Sequence, residues 1–470
     1  MTHPALVGTI NVIVPVGALG AGVRPDEIKY GLSAGAQVIA SDAGSTDSGA
    51  SYLALGMSKY SRDAVKRDLL VLMEAQAEGR IPLLIGSCGT AGGDKGLEWT
   101  RDIAAEVAAE LGLSPRIAVL HCEQDRAVLK AKNAQGKIHP LPPSGSLSDE
   151  TIDDCEHIVA VMGPEPYIAA LKDGADIVLG GRTTDTAVLA ALPLFCHAPA
   201  AMAWHAGKVA ECGAQCTVNP GNGAGVFLHI GKDSFDVEPL SLNNHCDPHS
   251  VSAHMLYENG DPFRLTEPGG VLDVSQARYQ QLDKRTVRVS GSRWERTPYT
   301  MKLEGAAAGP FQTIMLIGIE DPEVLSQLDV FHERLSAALH DRVSRTLGDK
   351  AGNYDISLRI YGWNAVSGRP VPKDAPSPRE VGVLCVITAE TQALATQIAK
   401  VCNPYFFHFP IKNGIELPSY GFAFSPADIE RGRVYEFKLN HVVETEDPME
   451  LVRTEWLDLS NGKKRGSNHG

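Results

Sequence analysis

IPLLIGSCGTAGGDKG, residues Ile81–Gly96, decides how this chain is read. An apolar run stops abruptly in glycine, serine, cysteine and threonine, and a stretch with helical periodicity, Glu98–Leu111, follows it. That order, strand then small-residue loop then helix, is the repeating unit of α/β folds. The same unit recurs outward in both directions: TINVIVPV from Thr9, AQVIAS from Ala36, RIAVLH from Arg116, HIVAVM from His157 and ADIVLGG from Ala175 are five further strand candidates. Between them the periodicity predicts helices that include Arg62–Glu78 and Asp185–Leu192. The strand runs are almost continuously hydrophobic, which requires both faces to be covered and so predicts a mainly parallel sheet. The expected class is α/β, a doubly wound, Rossmann-like three-layer sheet. Six strand–helix units also fit a closed barrel; the absence of eight clean repeats favours the open sheet.

Ligands of open parallel sheets bind at the carboxyl ends of the strands, and here three of the six ends are dense in Gly, Ser, Thr and Asp: SDAGSTDSG after Ser41, GSCGTAGGDKG after Gly86 and GRTTDT after Gly181. Tight turns need one or two glycines, without repeated hydroxyls and acids beside them. The substrate-binding set expected from these loops is Ser45, Thr46, Ser87, Gly89, Thr90, Gly92, Gly93, Arg182, Thr183, Thr184 and Asp185, with the Gly89–Gly93 amides facing an oxyanion. Arg182 beside two threonines suits a carboxylate or phosphate anchor. Asp47 and Asp94 are candidates to move a proton, with Asp42 and Glu123 nearby; capping a helix is the plain alternative for Asp185. Cys88, at a strand end before a helix, is a candidate nucleophile, with a small buried thiol as the alternative.

Composition removes whole classes. The 470 residues, 43% hydrophobic, allow two cores, since one core stops growing near roughly 250–300 residues. The expected division is 1–330 as an α/β ligand domain, 331–460 as a small α+β domain and 461–470 as a disordered tail. A net charge of −14 argues against a nucleic-acid partner. No basic n-region opens the chain and no apolar run of about 18 residues occurs, so neither a signal peptide nor a membrane span is expected. Nine scattered cysteines without CxxC pairs read as reduced thiols, and the expected compartment is the cytoplasm.

Named cofactor motifs are absent. Gly89–Lys95 lacks the spacing of a Walker loop, Gly17, Gly20 and Gly22 give GxxGxG in place of the dinucleotide fingerprint, and no HExxH occurs. Gly31–Gly35 matches GxSxG but follows a helix, which a nucleophile elbow does not. No cofactor is assigned; Mg²⁺ is the ion that clustered carboxylates can hold. In NNHCDPHSVSAHMLYENGDPFR, Asn243–Arg264, Asp247 and Pro248 are an N-cap and N1 pair for a helix reaching Tyr257. His249 and His254 are five apart and share no helix face, so His254 is a candidate acid or base, with a structural histidine as the alternative.

These strand-end clusters, together with SAHMLYENGDPFRL from Ser252, EPGGVLDVS from Glu267, TVRVSGSRWE from Thr286 and YTMKLEGA from Tyr299, resemble the acyclic terpene utilisation family over roughly Val7–Asp341. The resemblance implies catabolism of acyclic terpenoids and related branched acids, often as CoA thioesters, CoA then being part of the substrate. It marks His254, Tyr257, Glu258, Asp261, Lys302 and Glu304 as characteristic text and carries no catalytic roles.

Toward the C-terminus a helical stretch, Pro322–Leu347, precedes YDISLRIYGW, VGVLCVITAE, TQALATQIAKVC and VYEFKLNHVVE, a strand, strand, helix and strand suited to subunit contact in a homo-oligomer. The expected function is acid–base chemistry on a small carboxylate or acyl-CoA, of lyase, hydratase or isomerase type. The alternatives are thioester hydrolysis or acyl transfer through Cys88 or Ser87, and a ligand-binding or assembly subunit without chemistry.

Overall fold

Five apolar runs do form one parallel sheet. In a computed structural model that describes residues 8–372, 374–411 and 417–459, β1 (Ile10–Val14), β2 (Val38–Asp42), β3 (Leu83–Gly86), β4 (Arg116–His121) and β5 (Ile177–Gly180) lie in the order β1-β2-β3-β5-β4 with every neighbour parallel. Their side chains alternate between two buried faces. Ile13, Ile39, Ile85, Val119 and Leu179 pack with α1 (Pro25–Ser33), α2 (Arg62–Gly79) and α3 (Asp94–Leu111) in one core. On the other face, Gly86 lies against Val188 of α4 (Asp185–Phe195), and α5 (Ala200–Ala210) follows α4 in the chain.

The expectation of a mainly parallel sheet holds for this centre alone. Four antiparallel strands, Val226–Ile230, Ser234–Pro239, Val287–Ser290 and Arg278–Gln281, extend the sheet beyond β1, and Arg453–Asp458 adds antiparallel to β4, so the ten-stranded sheet is mixed. The fold is accordingly mixed α/β with several sheets. HIVAVM is the run that leaves. Its strand, Cys155–Ala160, exposes Glu156 at its start and pairs antiparallel with Thr300–Ile319, placing Glu304 opposite Val159. A strand with one partly open face does not suit the doubly covered centre of a parallel sheet.

The chain divides into two compact units, Met1–Ala307 with Phe437–Gly470, and Ala308–Glu436. In the second unit, Val381–Ala389 pairs antiparallel with Tyr354–Tyr361 and with Phe311–Ile319, alternating buried and half-buried residues, and the helices Leu328–Leu347 and Gln392–Cys402 share its core. The 461–470 tail lies outside the described residues. Among the described residues no helix is long and apolar enough to cross a membrane.

Candidate functional site

The glycine-rich loop after β3 is a buried plug beneath the site. Every residue from Leu83 to Gly93 is buried. A Cβ on Gly92, whose φ is +66°, would stand 2.1 Å from the Arg182 backbone nitrogen; one on Gly89 would stand 2.3 Å from Gly96 Cα; one on Gly44 would stand 2.6 Å from Thr90 Cα. The glycines therefore serve close backbone approach. This corrects the assignment of Gly89, Thr90, Gly92 and Gly93 to substrate: their amides line neither cavity described below, and Thr90 Oγ1 accepts from Lys59 N at 2.9 Å. Cys88 is corrected as well. It has no exposed surface, it belongs to the hydrophobic core, and burial pushes its thiol far above the usual range, which favours the small buried thiol over the nucleophile. Ser87 is committed too. Its buried hydroxyl donates to Thr183 O (3.2 Å) and accepts from Arg182 Nη1 (3.2 Å) and Thr183 N (3.3 Å).

What the plug supports is Arg182. Its backbone N–H donates to Gly92 O at 3.0 Å, and its buried guanidinium sends Nε to Glu304 Oε2 (3.1 Å) and Nη1 to Thr183 O (2.9 Å) and Asp185 Oδ1 (3.3 Å). Glu304 also accepts from Thr46 Oγ1 on Oε2 (2.9 Å) and meets Lys302 Nζ on Oε1 (2.9 Å). Burial alone would raise the Glu304 carboxyl, but Arg182 and Lys302 outweigh it and hold the pKa at about 2. Arg182 thus sits in the expected place, already engaged by two carboxylates.

Around this network lies a cavity of about 560 Å³ walled by Asp47, Arg182, Thr184, Asp185, Lys208, Glu267, Lys302 and Glu304 among others. Burial raises the Asp185 carboxyl against the pull of Arg182. It raises Glu267 to about 7, against hydrogen bonds from Thr184 and Thr186. Lys208 pairs with Glu211; burial works against its charge, but Glu211, Glu267 and Asp185 outweigh it and hold the amine above its usual range. Asp47, Asp185 and Glu258 also line an adjoining cavity of about 640 Å³, with Asp42, Ser45, Arg24 and Lys59 in its wall. Asp42 Oδ1 is buried with no hydrogen-bond partner, and burial followed by the nearby Asp185 raises that carboxyl well above its usual range.

The remaining sequence candidates divide. Ser45 and Asp47 are together on the cavity wall, Ser45 Oγ donating to Asp47 Oδ2 at 2.7 Å. Thr184, and not Asp185, caps α4, accepting from Ala187 N at 3.2 Å, which leaves the Asp185 carboxyl free to face the cavity. Thr183 is buried and turned inward, toward Tyr167 and Gly181 O. Asp94 lies elsewhere, its carboxylate bound to His121 Nδ1 at 2.9 Å and facing Arg453 at 3.6 Å. His254 follows the capped helix Pro248–Ala253 and lines neither cavity; burial, reinforced by Lys208, lowers its pKa to about 4, which keeps the imidazole neutral near pH 7 and disfavours it as the acid. Lys208, Glu211 and Glu267 were missed. A signal for the first two existed, a lone Lys and Glu three apart in AAMAWHAGKVAE, apolar apart from these two and His205, where a charge is buried only if paired. Glu267 ends a strand at the Pro268–Gly269 hairpin, a turn that EPGG announces.

Fold and site together define a polar, carboxylate-walled cavity at the carboxyl edge of a mixed α/β sheet. The chain belongs to the acyclic terpene utilisation family: the family model for the acyclic terpene utilisation family protein AtuA matches residues 58–420. Its role is therefore in acyclic terpene utilisation. The chain matches no curated protein and no solved structure.

Proposed function

We propose that the protein is a catabolic enzyme that moves a proton next to the carbonyl of a branched carboxylic acid or its CoA thioester. One observation carries this reading: Asp185 and Glu267, two carboxyls raised by burial, wall the same cavity as Lys208, Lys302 and Arg182. A base and an acid of this kind work best when their pKa values approach the operating pH. Ionised Asp185 takes the proton from the carbon beside the carbonyl; the C–H electron pair becomes a C=C bond and the carbonyl oxygen gains the charge. Protonated Glu267 and the Lys208 ammonium stabilise that oxygen. Return of the proton at another carbon gives isomerisation, and departure of a β-substituent gives the lyase outcome. Arg24 and Lys59, on the adjoining cavity, supply cations for the phosphates of a CoA ester.

The test is wash-in of solvent deuterium, followed by mass spectrometry, into branched acids and their CoA thioesters. Wild type should label one carbon-bound position, and Asp185→Asn should slow labelling by about 10²–10⁴-fold. Stabilisation of the chain by such a ligand with no deuterium incorporated would instead mean a binding subunit.

A further inference from the structure

The geometry points to a divalent transition-metal site, of the kind zinc occupies, formed by Glu211, Cys212 and His254. One ligand atom from each, a carboxylate oxygen, a thiol sulfur and an imidazole nitrogen, lies within 4.8 Å of the other two, and His254 Nε2 stands 4.0 Å from Glu211 Oε1. In a tetrahedral site with bonds of about 2.0–2.3 Å the ligand atoms stand roughly 3.3–3.8 Å apart, so closure on an ion shortens a separation of up to 4.8 Å by about an ångström, shared between two side chains.

The second observation is His254 itself. Its side chain is 5% exposed, and Nε2 is a buried nitrogen with no hydrogen-bond partner. Burying a polar nitrogen without a partner is costly, and nearly all such atoms in folded proteins are satisfied. An ion between Nε2, Cys212 Sγ and Glu211 satisfies it; without metal, burial and the nearby Glu211 hold the Cys212 thiol well above its usual range, and it gives up its proton on binding the ion. The surroundings hold each ligand in place. Thr186 Oγ1 donates to Glu211 Oε2 at 3.2 Å, the Tyr257 ring stacks on His254 at 5.5 Å, and Gly17, where a Cβ would stand 2.8 Å from the Cys212 carbonyl carbon, lets the end of β1 approach Cys212 closely. The ion takes over from Lys208 the neutralisation of Glu211. Nitrogen, sulfur and oxygen together select a borderline-soft ion over Mg²⁺. Three protein ligands leave a fourth position for water or a ligand oxygen. Cys212 faces the cavity of about 640 Å³ and, together with His254, another of about 660 Å³. This site goes beyond the acid–base reading, whose Asp185 and Glu267 are not among the ligands.

The experiment uses the full chain, stripped with a chelator and titrated with Co²⁺ as a spectroscopic stand-in for Zn²⁺. One Co²⁺ per chain should bind with a thiolate-to-cobalt charge-transfer band that Zn²⁺ abolishes; Cys212→Ser should lose the band and His254→Gln should weaken binding by about 100-fold or more. Of the nine cysteines Cys212 alone is not buried; burial pushes its thiol up, so prolonged alkylation of stripped wild type, mapped by mass spectrometry, should reach it first, and Zn²⁺ should protect it. That arm needs no variant to fold. Absence of saturable Co²⁺ uptake, a thiolate band that survives Cys212→Ser, or alkylation of Cys212 unaffected by Zn²⁺ would each overturn the site, while leaving the deuterium test of proton transfer untouched.

Discussion

At the scale of single residues the decisive pair is Gly92 and Arg182. A glycine that admits a backbone and a glycine that admits a ligand are the same letter, so the sequence shows a special loop at Gly86–Gly96 without showing what it approaches. The 2.1 Å between a Gly92 Cβ and the Arg182 nitrogen settles it. Gly92→Ala combines this clash with a left-handed φ of +66° and is expected to cost roughly 3 kcal/mol or more in urea unfolding. Gly22→Ala also has positive φ, +108°, but meets nothing within 4 Å, and should cost about 1–2 kcal/mol. Equal losses would mean that the loop does not depend on its fit against Arg182. Arg182, Asp47, Ser45 and Asp185 stood out because three strand ends repeat acids and hydroxyls beyond what tight turns need. Glu267 and Lys208 were not, because their importance comes from burial, which depends on partners distant in sequence.

At the scale of elements, the parallel strands were readable from their unbroken apolar runs, and α2, α3 and α4 from their periodicity. The antiparallel strands that widen the sheet were not, since four-residue segments such as Val287–Ser290 alternate too briefly to separate from loop. HIVAVM shows the converse, an apolar run that pairs with a partner, Thr300–Ile319, some 140 residues downstream. Asp94 belongs to this scale too. At the first position of α3 it bonds His121 of β4, and His121 Nε2 reaches Glu455 of the last described strand at 3.2 Å. The Asp94 hydrogen bond, working against burial, raises the pKa of His121. A histidine raised in the folded state adds stability that is complete below the unfolded value of 6.5 and fades as pH rises through the folded one. Asp94→Asn should therefore cost about 1–2 kcal/mol near pH 6 and less near pH 9, measured by denaturant unfolding at both. A larger loss at the higher pH would reverse that assignment.

At the scale of the whole molecule, a net charge of −14 repels anionic substrates, so a cavity for a CoA thioester needs its own cations. Arg24→Ala combined with Lys59→Ala is expected to raise KM for a CoA thioester roughly tenfold, about 1.4 kcal/mol, and to leave a free acid nearly unaffected. An equal effect on both would place the CoA elsewhere. The central claim is that Glu267, with its pKa near 7, is the protonated partner in proton transfer. It is tested most directly by the pH dependence of solvent-deuterium wash-in for wild type and Glu267→Gln. In wild type, exchange should fall as pH rises past about 7, where Glu267 loses its proton; in Glu267→Gln that limb should disappear and the maximal rate should drop by about 10²-fold or more. An unchanged limb and rate in the variant would contradict the account.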